Sequence, residues 1–288
     1  MTTTTASEAS NDQVRAQVRE HYGKVAEAPF AVGCAPGCCA PTKGTSQMLG
    51  YSDADLAAVP EGADLGLGCG NPQTLASLRP GERVLDLGSG AGFDCFLAAR
   101  AVGEGGRVIG VDMTPSMLTK ARGNAAKAGV KNVEFRLGEI EHLPVGDGEV
   151  DVIMSNCVVN LSPDKEAVFR EAFRVLAPNG RVAISDVVAL QPLPEALRTQ
   201  ALAISACVGG AASVTDIEAM LARAGFTDVK VVVSEKSRAM IAEWLPGSGA
   251  ENYVASASIE ARRPAVGETP ERADASSKKA CCGPGCCT

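Results

Sequence analysis

Between residues 80 and 190, short apolar runs alternate with amphipathic stretches, and this alternation constrains the fold more than any other feature of the 288-residue chain. ERVLDLGSG is an apolar run ending in glycines, followed by the helical pattern FDCFLAARAV. GRVIGVD reads as a second strand, and PSMLTKARGNAAKAG as a helix opened by Pro115 and closed by Gly129. VEFRLGE and VDVIMSN read as the third and fourth strands. PDKEAVFREAFRVL places Val168, Phe169, Ala172, Phe173 and Leu176 on one helix face, and the turn Pro178-Asn179-Gly180 leads into a fifth strand, RVAISDVV. Near-continuous apolar strands separated by helices predict an α/β fold with a mostly parallel sheet covered on both faces.

Four segments are expected. Residues 1–12 are read as disordered. Residues 13–190 form the main domain, whose N-terminal extension carries a helix with Val14, Val18 and Tyr22 in register, then the irregular AVGCAPGCCAPTKG. Residues 53–59 read as a short helical turn with Ser52 as N-cap. Residues 191–262 form a small accessory domain, with helices at Glu195–Cys207 and from a capping box at Thr215, and a strand at Asp228–Ser234. Residues 263–288 form a flexible tail ending in CCGPGCC.

Composition excludes several functions. Net charge is −7, which argues against binding nucleic-acid phosphates. Only two histidines, His21 and His142, leave little room for a His triad or a His-rich metal site; both read as surface or cap residues. The start, MTTTTASEASND, has no basic and apolar leader pattern, and the uncharged stretch from Thr199 to Thr215 falls short of the ~20 apolar residues a membrane span needs. A cytoplasmic monomer is expected, with no membrane or nucleic-acid partner and with its eleven cysteines kept reduced.

The motif Val84-Leu85-Asp86-Leu87-Gly88-Ser89-Gly90-Ala91-Gly92 carries a buried strand into a glycine turn at a helix N-terminus, where a ligand can approach the backbone. Its G-x-G-x-G spacing is not that of the dinucleotide fold. Asp112 closes the second strand, placed to hold two ribose hydroxyls. Gly138-Glu139-Ile140-Glu141 follows the third strand, where an adenine edge would lie. Together these residues resemble the class I S-adenosylmethionine-dependent methyltransferases and their Rossmann-like sheet. The resemblance implies that Asp86, Gly88, Ser89, Gly90 and Gly92 cradle the donor's methionine part. It implies that Asp112 takes the ribose, that Met113 also binds the donor, and that Glu139 and Ile140 contact the adenine. Asn156 either positions the donor's amino acid portion or is a plain strand-end residue.

Cysteines indicate the substrate. Cys69 lies in GLGCGNP, Cys157 in SNCVVNL directly after the fourth strand, and Cys207 in ACVGGA. Three thiolates make a soft site, and trivalent arsenic bound by sulfur keeps a lone pair able to attack an electrophilic methyl carbon. GLGCGNP, VLDLGSGAGFDCF, SNCVVNL with PDK, and ISDVV followed by ACVGGA resemble the arsenite methyltransferases over residues 14–262. The resemblance implies an enzyme that methylates arsenite and methylated arsenicals for detoxification, binding As(III) through Cys69, Cys157 and Cys207. An N-terminal cysteine, whether Cys34, Cys38 or Cys39, would complete the catalytic set, with thioredoxin or glutathione as reductant. Cys95 reads as a packing residue. The tail cysteines either deliver arsenite or merely scavenge it. The alternatives are a methyltransferase of a quinone-like small molecule and a non-enzymatic metalloid-sequestering protein.

Overall fold

A computed structural model describes residues 6–28, 45–199, 203 and 207–268. Helix α1 runs Ala6–Glu27, so it begins inside the stretch expected to be disordered. Short helices α2 (Thr45–Met48), α3 (Asp53–Ala58) and α4 (Pro72–Ala76) follow. Ser52 caps α3 as expected, in a reciprocal box with Asp55. The α4 helix, which the turn-rich sequence hid, is capped by Asn71 and opened by Pro72.

The alternating core has the expected elements. They are β1 (Arg83–Leu87), α5 (Phe93–Val102), β2 (Arg107–Asp112), α6 (Pro115–Ala128), β3 (Val133–Leu137), β4 (Val150–Asn156), α7 (Lys165–Val175) and β5 (Leu176–Ala189). The Pro178-Asn179-Gly180 turn lies within β5 rather than before it, and the register against β4 shifts there from Leu176 to Arg181. Then come α8 (Glu195–Thr199), α9 (Val214–Ala224), β6 (Thr227–Ser234), α10 (Ser237–Trp244) and β7 (Val254–Arg262). The cap of α9 is Ser213, whose hydroxyl accepts from Asp216 N at 3.1 Å, two residues before the expected Thr215.

The strands form one seven-stranded sheet in the order β3-β2-β1-β4-β5-β7-β6. Strands β1 to β5 pair in parallel; β7 pairs antiparallel with both β5 and β6. The region expected as a separate accessory domain therefore supplies the last two strands of the same sheet. Residues 263–268, expected to begin the flexible tail, also pack: Arg263 donates to the Phe173 carbonyl at 2.9 Å and lies over the Phe173 ring. Residues 269–288 lie outside the described part.

Side-chain alternation along the strands sends two apolar faces to two helix layers. Leu85, Leu87, Ile153 and Ile184 pack with Phe169 of α7 and Leu221 of α9. Val84, Val108 and Met154 pack with Phe96 of α5 and Leu118 of α6. Burying each such side chain contributes roughly 1.5–3 kcal/mol. A third cluster joins Val18 of α1, Cys69, Cys207, Val187 and Ile241 at the carboxyl ends of β4 and β5. Among the described residues no helix is long and apolar enough to cross a membrane.

Candidate functional site

A cleft of roughly 1080 Å³, including the part open to solvent, lies over the carboxyl ends of the parallel strands. Ligands bind there in open α/β sheets because the strand-to-helix loops and helix N-termini converge on that edge. Of the ten residues expected to hold the methyl donor, Asp86, Gly88, Ser89, Gly90, Asp112, Met113, Ile140 and Asn156 line it. Gly92 and Glu139 are not among the lining residues. A Cβ on Gly92 would meet Phe96 and Phe135 at 2.8 and 2.9 Å, so its absence allows α5 to pack against the sheet. The Glu139 carboxylate is turned towards α1, accepting from Arg19 at 3.2 Å and pairing with Arg15 at 3.4 Å.

The glycine turn is held by Asp112. One carboxylate oxygen accepts from Gly90 N at 2.9 Å and the other from Thr114 N at 2.8 Å. Each oxygen retains a lone pair for a ligand hydroxyl. Burial raises the Asp112 pKa, against the two backbone N–H groups that favour the charged form. The Ser89 hydroxyl is buried with no partner, an orphan donor facing the cleft that a polar ligand would satisfy. Glycines at Gly88 and Gly90 with φ +69° and +51°, an orphan hydroxyl and a strand-end carboxylate fit a nucleoside-bearing methyl donor.

Several lining residues were not singled out from sequence. Asp94, in the first turn of α5, accepts from Tyr51 Oη at 2.7 Å. Burial lifts its pKa to about 6, opposed by hydrogen bonds from Tyr51 and Asn156. An acid one residue inside a glycine-capped helix was a readable signal. Arg15, Val18 and Tyr22 bring α1 over the cleft, and Glu141 accepts from Arg15 at 3.3 Å and from Ser162 at 2.6 Å. Because the native Asp94 carboxyl holds its proton above its ordinary 3.8, the stability it contributes is present below about pH 4 and lost as pH rises through about 6. Asp94→Asn should flatten the fall in thermal midpoint between about pH 4 and 7 seen by calorimetry. An unchanged slope would assign that fall to another group.

Three of the expected cysteines converge. Cys69 and Cys157, 88 residues apart, are joined in a disulfide with Cα atoms 5.8 Å apart. This corrects the expectation that every thiol stays reduced: the glycine-flanked loop at Cys69 is folded onto the end of β4. Asn156 does the folding. Its Oδ1 accepts from Cys69 N at 3.0 Å, and its Nδ2 donates to the Gly70 carbonyl at 2.9 Å and to Tyr51 Oη at 3.2 Å. A Cβ at Gly70 would overlap the Ser185 hydroxyl and force that side chain to turn away, so glycine permits the close approach. The sulfurs of Cys69 and Cys157 and a carboxylate oxygen of Asp186 lie within 4.8 Å of one another.

Cys207 lies beside them, its thiol donating to the Cys157 carbonyl at 2.7 Å. Burial pushes the Cys207 thiol well up, the Asp186 carboxylate adds to this, and the Lys165 ammonium opposes it. Lys165, from the PDK motif, donates to the Ser162 carbonyl at 3.1 Å. Cys95 is fully buried and donates to Asp86 at 3.2 Å; burial and that carboxylate raise its pKa, in keeping with a packing residue. Cys34, Cys38, Cys39 and the four tail cysteines lie outside the described residues.

Comparison with known proteins agrees with this geometry. Residues 78–225 match the family model described as a methyltransferase domain. An arsenite methyltransferase of Halobacterium salinarum is 50% identical over 264 residues, covering 88% of this chain and 68% of that protein. An arsenite methyltransferase of Aquipseudomonas alcaligenes is 41% identical over 75% of this chain and 62% of its own length. Among solved structures, an arsenic(III) S-adenosylmethionine methyltransferase from Chlamydomonas reinhardtii has a TM-score of 0.57 at 32% identity, covering 81% of this chain and 76% of that one.

Proposed function

The chain belongs to the arsenite methyltransferases, and from that premise we propose that it moves a methyl group from S-adenosylmethionine to trivalent arsenic held on its clustered cysteines, a detoxifying reaction in the cytoplasm. The observation that carries the reading is the convergence of Cys69, Cys157 and Cys207 at the edge of the cleft lined by Gly88, Gly90 and Asp112.

S-adenosylmethionine, when bound, supplies an electrophilic methyl carbon. Asp112 would take the ribose hydroxyls, the Gly88–Gly90 turn and Ser89 would take the amino acid part, and Ile140 would contact the adenine. Asn156 spends its amide on Cys69, Gly70 and Tyr51, so its part is to hold the thiol loop rather than the donor. Helix α1 and the Arg15–Glu141 pair form one wall of the cleft.

Arsenite enters by ligand exchange. Each As–S bond forms as an As–O bond breaks, and the thiol proton leaves with the departing hydroxide as water. The Cys69–Cys157 disulfide must first be reduced, which takes two electrons from thioredoxin or glutathione. Trivalent arsenic held on these thiolates keeps the lone pair that would take the methyl group, the rest of the donor leaving as a neutral thioether. No general base is needed, because the reacting atom carries no proton. Methylation oxidises arsenic by two electrons. Cys69 and Cys157 return them by forming a disulfide as arsenic reverts to the trivalent state. A transient catalytic disulfide of this kind reconciles the observed bond with a reducing compartment.

The test is to incubate reduced protein with S-adenosylmethionine, arsenite and thioredoxin or glutathione, and to speciate the arsenic. Methylated arsenicals with matching S-adenosylhomocysteine are expected. Bound but unmethylated arsenite would indicate sequestration instead.

A further inference from the structure

The two loops carrying Cys157 and Cys207 are fixed to each other beneath the sulfurs by contacts that methyl transfer itself does not use. After Cys157 the chain makes a 3-10 turn, Val159–Leu161, whose middle residue Asn160 is only 4% exposed. Asn160 N donates to one oxygen of Asp186 at 3.2 Å, and its side-chain amide donates to the other at 2.9 Å and to the Val187 carbonyl at 2.5 Å. Asp186 also accepts from Val187 N at 2.7 Å. The turn is thus pinned to the end of β5. Its opposite side faces the second loop. A Cβ built on Gly210 would overlap the Asn160 carbonyl oxygen and lie 3.2 Å from its carbonyl carbon.

Both cysteines have left-handed backbone, with φ +56° at Cys157 and +61° at Cys207. For a residue with a Cβ this conformation is strained and persists only where the surroundings over-determine it. The Asp186–Asn160 bonds hold one loop in that state, and the Asn160–Gly210 contact transfers its position to the other. Placement matters because arsenic–sulfur bonds are short and directional. A displacement of about 1 Å at a reacting centre can cost about 10²-fold in rate.

We propose that Asn160 is a positioning residue for arsenic handling, with Gly210 as its required partner. Together they set the separation of the Cys157 and Cys207 sulfurs so that one trivalent arsenic bridges both. The proposal rests on the reading that these two thiols take arsenic.

The test uses phenylarsine oxide, which needs two thiols at a fixed separation, and iodoacetamide, which needs one. Capture and alkylation are measured on reduced full-length chain in which Cys69, Cys34, Cys38, Cys39 and the four tail cysteines are replaced by Ser, leaving Cys157 and Cys207 beside the buried Cys95. Asn160→Ala and Gly210→Ala should each weaken phenylarsine oxide capture by about tenfold or more, while iodoacetamide alkylates Cys207 as fast or faster. In the chain with all its cysteines, the same substitutions should lower the arsenite methylation rate by about 10²-fold, with S-adenosylmethionine affinity within about twofold. Should Asn160→Ala fail to fold, Gly210→Ala carries the same reading, because it opens the loops from the other side and leaves the Asn160–Asp186 bonds in place. Unchanged phenylarsine oxide capture in Gly210→Ala would overturn the proposal, as would absence of capture in the starting chain. Capture needs no methyl transfer. A chain that captured the probe but never methylated arsenite would therefore overturn the proposed activity while leaving this inference standing.

Discussion

Cys157→Ser should reduce arsenite methylation by on the order of 10³-fold or more, while S-adenosylmethionine binds with nearly unchanged affinity. Serine keeps the branching of cysteine with a smaller atom, so the substitution leaves the backbone geometry in place: the N–H at position 157 still donates to the Ser185 carbonyl, at 2.8 Å in the parent, and the cleft keeps its glycine turn and Asp112. What changes is softness. A serine hydroxyl does not exchange onto trivalent arsenic as a thiolate does. The substitution also removes the sulfur that Cys69 pairs with, so the proposed two-electron return after methylation would be lost. Cys207→Ser should share the first defect and keep the Cys69–Cys157 pair. Arsenic speciation and calorimetric donor binding read the two effects apart. Methylation retained in both variants would remove the arsenic reading.

Asp112→Ala should have the opposite profile, with S-adenosylmethionine affinity falling by about 10²–10⁴-fold and arsenite capture by the thiols unaffected. Hydrogen bonds to a charged group contribute about 1.5–3 kcal/mol each, and a buried carboxylate facing a ribose can make two. The loss has a second part here. Asp112 also accepts from Gly90 N and Thr114 N, so its removal leaves two backbone donors unpaired and loosens the glycine turn that lines the cleft. Asp112→Asn should be milder, because an amide oxygen can still accept one of these bonds. Donor affinity unaffected in Asp112→Ala would move the ribose to another group. Because the thiol cluster stands on other elements, the two substitutions act on sites that calorimetry with each ligand can separate.

The alternating core was legible because its signals are local. Strand β1, the glycine turn and α5 follow from a contiguous run of apolar residues, glycines and a helix-forming stretch, and nothing distant competes with them. The β7 strand was not legible. VASASIEAR is rich in small residues with weak strand preference, and it becomes a strand because β5 and β6 both offer it open edges. The α9 cap shows a smaller version of the same problem: Ser213 and Thr215 are both plausible caps, and Ser213 wins with its hydroxyl on Asp216 N.

The same division runs through the site. The sequence alone determined which residues line the cleft over β1 and β2: Asp86, Gly88, Gly90 and Asp112 lie at or just past the ends of adjacent parallel strands, so the order of elements places them together. It also marked Cys69, Cys157 and Cys207 as the residues of interest, because soft chemistry requires sulfur. Only the tertiary structure decided what those thiols do to each other. Pairing Cys69 with Cys157 depends on Asn156 binding a loop 87 residues away, and turning Glu139 from the cleft depends on α1 arriving with Arg15 and Arg19. Residue type and local spacing fix which chemistry a chain can attempt. The partners of a side chain are set by long-range packing, where many distant groups compete for each hydrogen bond and no local pattern records which one wins.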